Sequence, residues 1–203
     1  MKYLKIIKLA CIVSTFNLAF MARASAQQLM HSFGLTLSVL QGTLNEGPGN
    51  SESFGVEQNN FTYFPRFNFI ENENSSFSIG APIGIGIGIV TNTYGNDAGV
   101  IFSYDLPLVI DYNIGCKSTM ANESNFGGYF GVGFGYNKIN ISESSYSNFD
   151  GSSYGPLFRA GFRFGSSNES WNGHGLTAGA YYKIGIGSQN NLHTIGFNIL
   201  YDL

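Results

Sequence analysis

Hydrolytic or acyl-transfer chemistry needs a histidine held beside a nucleophile or a carboxylate. The chain offers three histidines, His31, His174 and His193. Each falls near the end of an expected strand or turn, and no serine stands in a G-x-S-x-G setting. Side-chain alternation places His31 and His193 on the same outer face of two neighbouring terminal strands but at opposite ends, too far apart to cooperate. Cys116 is the one cysteine after residue 26 and makes neither an intramolecular disulfide nor a metal site. Strings such as Gly131-Val132-Gly133 imitate a phosphate loop without the helix that such a loop must open. The reading is therefore non-enzymatic, with no catalytic residue, no cofactor and no metal expected. What remains chemically conspicuous is a set of charges inside otherwise oily segments: Arg66, Asp105, Asp111, Arg159, Arg163 and Lys183.

Lys2, Lys5 and Lys8 precede a mainly apolar stretch that ends near Phe20, and Ala24-Ser25-Ala26 follows as a small-x-small site. This is the pattern of a secretory signal peptide over residues 1–26, cut before Gln27. The apolar run is about a dozen residues, short of the 18 or so of a spanning helix. Cys11 lacks the leucine-rich box of a lipid-attachment site. Residues 27–203 then form one domain. Of the ten basic residues four lie before Ala26, leaving six against 13 acidic ones, a net charge of 6 − 13 = −7. So acidic an export product has no footprint for nucleic acid.

Those charges need elements to position them, and the dominant pattern has period two. Ile83-Gly84-Ile85-Gly86-Ile87-Gly88-Ile89 sets isoleucine on one face and glycine on the other, and residues 126–136 repeat the scheme with aromatics. Eight segments follow: 29–40, 61–71, 76–90, 99–113, 125–139, 155–165, 174–187 and 192–203. Most exceed the five or six residues usual in soluble sheets and suit the roughly 9–11 of a tilted membrane-crossing strand. Of the links on one side, 41–60 and 140–154 read as long polar loops, 91–98 as moderate and 188–191 as tight. Pro65, Pro82 and Pro156 fall near strand ends, whereas Pro107 lies mid-strand and implies a bulge or a misplaced boundary.

Face by face, one side carries Phe61, Tyr63, Phe67, Val100, Phe102, Leu106, Leu108, Phe158, Phe162, Tyr182 and Ile195. The other carries glycine and the six charges named above. Only 11% of residues are charged while 18 are Phe and 12 Tyr, against about a quarter charged in a soluble domain. Oily residues outside and ions inside is the arrangement of a membrane barrel. A soluble lipocalin-like cup would reverse it. Eight strands leave an interior just wide enough for side chains or one small ligand.

These alternating strands, together with the closing segment Thr194–Leu203, resemble the small bacterial outer-membrane β-barrel family that includes the OmpA transmembrane domain and OmpX. The resemblance implies an all-β, eight-stranded antiparallel up-and-down barrel in the outer membrane of a Gram-negative cell. It implies outer-membrane lipid and the barrel assembly machinery as partners, with a surface ligand at the external loops. Such proteins commonly end in an aromatic residue, whereas this chain ends in Leu203 with Tyr201 two before it. The leading expectation is a non-enzymatic envelope protein that supports membrane integrity or surface contact. A narrow pore or small-ligand carrier lined by Arg66, Asp105, Asp111, Arg159, Arg163 and Lys183 is the alternative, and a lipid- or peptide-acting enzyme the more distant one.

Overall fold

Alternation with period two marks each segment as extended, and the cost of unpaired strand edges in hydrocarbon favours a sheet that closes on itself. The computed structural model describes residues 29–47, 50–92, 98–141, 151–165, 174–186 and 192–203. The signal-peptide expectation for 1–26 lies outside the described residues, as do 93–97, 142–150, 166–173 and 187–191 within the expected links. Among the described residues there are nine strands: β1 Leu29–Gly47, β2 Asn50–Asn72, β3 Ser75–Gly80, β4 Ile83–Asn92, β5 Ala98–Gly115, β6 Phe126–Ile141, β7 Gly151–Gly165, β8 Gly175–Lys183 and β9 His193–Asp202.

The strands make eight walls, because β3 and β4 are two halves of one wall, both pairing β2 on one side and β5 on the other. All neighbours are antiparallel, and β1 pairs with both β2 and β9, so the sheet closes on itself. Both described ends of the chain, Leu29 and Leu203, lie at one end of the barrel, called here the termini end. The paired ends of β1 and β2, Gly47 and Asn50, lie at the other, the hairpin end.

Three expectations need correction. The first link, expected as a loop over 41–60, is mostly strand: β1 and β2 stay paired from Leu29↔Phe67 out to Gly47↔Asn50. Residues 41–53 are mostly polar and small, so alternation gives no sign of a strand there. The wall expected as one strand over 76–90 is interrupted at Ala81-Pro82. Pro107 marks no bulge, since β5 pairs with β6 without interruption from Ile101↔Ile141 to Gly115↔Gly127. A register shift lies instead between Asn68 and Ile70 on β2, and it turns Ile70 outward where unbroken alternation would point it inward.

The outer surface is apolar almost throughout. Leu35, Ile85, Phe102, Phe130, Phe162, Phe197 and Ile199 are all exposed, Ile85 at 68%. Rings border this band at both ends. Near the termini end Tyr201 packs on Phe33 and on His174, and Tyr112 lies between Phe77 and Phe130. Near the hairpin end Tyr104 meets Tyr136, Phe134 meets Tyr154 and Tyr182 stacks on His193. Two aromatic girdles around an oily band are what the two interfaces of a bilayer select.

Candidate functional site

The interior divides into levels according to which residues alternation turns inward. Nearest the hairpin end, Leu40, Val56 and Val90 lie in one cross-strand row and join Ile101, Ile139 and Leu192 in a buried apolar plug. Below it Phe64, Val109, Leu157 and Leu200 form a second apolar cluster against which Tyr181 packs. Beside that cluster lies a small interior hollow of about 30 Å³, lined in part by Asn60, Thr62, Asp105, Arg159 and Tyr181. A hollow of that size admits water and no sizeable ligand.

All six charged candidates lie inside the barrel, at 1% exposure for Arg66, Asp111, Arg163 and Lys183, 5% for Arg159 and 8% for Asp105. The structure sorts them into two groups. Asp105 lies near Lys183 and Tyr181. Toward the termini end, Arg159 Nε stands 3.6 Å from Asp111 Oδ1, an ion pair whose partners are both buried. The Arg159 guanidinium lies between two rings, 4.6 Å from the centroids of Phe64 and of Tyr129, and Arg163 lies 4.8 Å from that of Tyr129. A desolvated guanidinium over an aromatic face recovers part of its lost hydration. Tyr129 can lie flat here because Gly161 and Gly179 beneath it carry no side chain.

Two charged residues of this layer escaped the sequence reading. Asp202 accepts hydrogen bonds from Ser32 Oγ and from Thr177 Oγ1, and its charge faces Arg66 and Arg163. Its even position in a strand whose odd residues face outward was the available signal. Lys117 gave no periodic signal, since it belongs to the turn after β5. This turn folds back into the barrel mouth, with Cys116, Lys117, Ser118 and Thr119 all buried. Lys117 takes a left-handed φ of 56°, following Gly115 at 69°, and two consecutive carbonyls then face the lumen. The Lys117 carbonyl accepts from Arg66 Nη2 at 2.6 Å and Arg163 Nη1 at 3.4 Å. The Ser118 carbonyl accepts from Asn68 Nδ2 at 2.8 Å and Ser76 Oγ at 2.5 Å. Arg66 also donates to Asn113 Oδ1 at 3.3 Å. Two of the candidate arginines therefore clamp a stopper. Burial, joined by the Arg66 charge, depresses the Lys117 amine below the ordinary lysine value, against the pull of Asp202.

The histidines are dispersed. His31 Nδ1 is bonded to the Tyr63 hydroxyl at 2.7 Å, and His193 Nδ1 lies 3.2 Å from the Tyr182 hydroxyl at the opposite end. His174 stacks on Tyr201. Each belongs to the aromatic girdles. Among the described residues no group of three or more His, Cys, Asp or Glu could hold a metal ion.

Comparison with known proteins gives a fold and no closer kinship. No family model matches the chain, and no curated protein matches it. Solved structures do. The outer membrane protein OprG of Pseudomonas aeruginosa is 12% identical, with a TM-score of 0.53 over 87% of this chain and 95% of that one. Ail, the attachment invasion locus protein of Yersinia pestis, is 15% identical with a TM-score of 0.47, covering 88% of this chain and all of its own. Neisserial surface protein A is 13% identical with a TM-score of 0.47, covering 86% and 96%. The chain has the all-β, eight-walled, antiparallel up-and-down fold of small outer-membrane barrels.

Proposed function

We propose that this barrel resides in the outer membrane of a Gram-negative cell and acts through the surface of its hairpin end, not through its lumen and not by catalysis. The observation that carries the reading is the contrast between a filled interior and a projecting hairpin. The lumen is filled by the apolar plug, the Phe64 cluster, the Arg–Asp layer and the 116–119 stopper. Its hollow of about 30 Å³ admits water and no sizeable ligand.

The hairpin is different. β1 and β2 run 19 and 23 residues, about twice what a bilayer crossing needs. β9 accompanies β1 only as far as Gln41, and β4 accompanies β2 only as far as Phe54. From Gly42 to Gly47 the only described partner of β1 is β2. Six residues at about 3.4 Å each carry the hairpin roughly 20 Å along its strands beyond the last described pairing of β1 with β9. Long external hairpins over short inner turns are the usual polarity of these barrels, so this end faces outward, where contact with another surface is its natural work. Conduction through the lumen, the alternative, would need the plug and the stopper to leave together.

Planar-bilayer recording beside a porin control, paired with whole-cell binding to host or neighbouring-cell surfaces, tests the reading. We expect no unit conductance, and loss of binding when residues 43–53 are replaced by a two-residue turn. Stable channels in the intact protein, or undiminished binding by the shortened one, would contradict it.

A further inference from the structure

The hydrogen-bond ladder of the wall has one level at which it cannot be complete. Register places Pro65 opposite Ala81, Pro82 opposite Pro107 and Pro156 opposite Ile184, on three seams of the barrel. At the first and third of these, the partner donates to the proline carbonyl, Ala81 to Pro65 at 3.1 Å and Ile184 to Pro156 at 2.9 Å. Each proline can return nothing, because it carries no N–H. At the middle seam two prolines face one another. Ala81 sends its N–H toward β2, so Pro82 is the residue oriented toward β5, and neither Pro82 nor Pro107 can donate across the gap. One closely spaced pair of ladder bonds is therefore missing, and here the wall splits into β3 and β4. Backbone carbonyls without donors are costly in hydrocarbon.

What lies behind this gap is equally specific. Pro82, Pro107 and Gly84 line the small hollow together with Asp105, Arg159 and Tyr181. Gly84 brings no side chain to cover the seam from within. By contrast β1 and β9, across the lumen, pair without a break from Ser32↔Asp202 to Gln41↔His193 and contain no proline. We propose that the β4–β5 seam at Pro82 and Pro107 is where the closed wall opens first, exposing the hollow to the flank of the barrel while both mouths stay shut. This rests on register and on proline chemistry, and it stands whether or not the hairpin binds a surface.

Amide hydrogen exchange of the folded protein in micelles, read residue by residue, tests it. Amides bordering the gap, at Gly80, Gly84, Asp105 and Val109, are expected to exchange about tenfold or more faster than those of the β1–β9 ladder at similar depth, as two missing bonds imply. Pro82→Val combined with Pro107→Val restores both donors and should bring the seam down to the β1–β9 rate. Should that pair fail to fold, Ile85→Cys with Tyr104→Cys, opposite each other on the outer face, in a Cys116→Ser background, gives a removable staple. Oxidation should then slow exchange at the seam and reduction restore it. Seam amides exchanging no faster than the β1–β9 ladder, or indifferent to the staple, would overturn the proposal.

Discussion

Asp111→Asn isolates the energetics of the buried charge layer. The substitution keeps the shape of the side chain and removes one of two carboxylates that face Arg66, Arg159 and Arg163. At 3.6 Å from Arg159 and an effective dielectric of 20, the lost attraction is about 5 kcal/mol. Relaxation, and the rings of Phe64 and Tyr129 over the guanidinium, offset part of it. Removing one partner of a buried pair typically costs about 3–5 kcal/mol, and about 3 kcal/mol is the expected loss here. Replacing both partners (Asp111→Asn with Arg159→Met) removes the stranded cation as well and should cost less than Asp111→Asn alone. The assay is reversible urea unfolding in lipid vesicles, followed by circular dichroism and by the gel shift between folded and boiled protein. A cost below about 1 kcal/mol for Asp111→Asn, or a double variant worse than the single, would show that the layer is solvated and that the lumen is not a low-dielectric interior.

The same unfolding assay tests four smaller claims. Gly161→Ala should lose about 1–3 kcal/mol, since its Cβ would meet the Ala178 carbonyl at 2.5 Å and the Gly179 Cα at 2.7 Å. Gly84→Ala should be nearly neutral, because its nearest neighbour is 3.4 Å away and the methyl enters the small hollow. Ile87→Arg, on the outer band, should cost about 2–4 kcal/mol near the midplane, against little in a detergent of short chains. Lys117 holds its proton less tightly folded than unfolded. The native protein should therefore gain stability as pH rises through the interval between that lowered value and 10.5, and Lys117→Met should lack that increment.

The sequence exposes the barrel because hydrocarbon enforces alternation wherever a strand crosses it. Ile83 to Ile89 and Phe126 to Tyr136 could be assigned to faces on that ground alone, and the lumen placement of Arg66, Arg159, Arg163 and Lys183 followed. Legibility stopped where that constraint stops. Residues 43–47 and 50–53 are polar or small apart from Leu44, with no apolar alternation, so their strand character was invisible and a loop was expected. Lys117 enters the lumen on a turn, through a left-handed residue, which no periodicity records. The shift after Asn68 and the meeting of Pro82 with Pro107 are properties of pairing between strands, and one strand read by itself contains neither.

The account rests on which medium touches the isoleucine row. Nitroxide labels placed one at a time at positions 84, 85, 87 and 89, in protein reconstituted into vesicles, report this through collisions with dissolved oxygen, which concentrates in hydrocarbon, and with a water-soluble nickel chelate. Oxygen should dominate at 85, 87 and 89, with both collision rates low at 84. Frequent contact of 85 and 87 with the nickel chelate would place that row in water and contradict the membrane assignment.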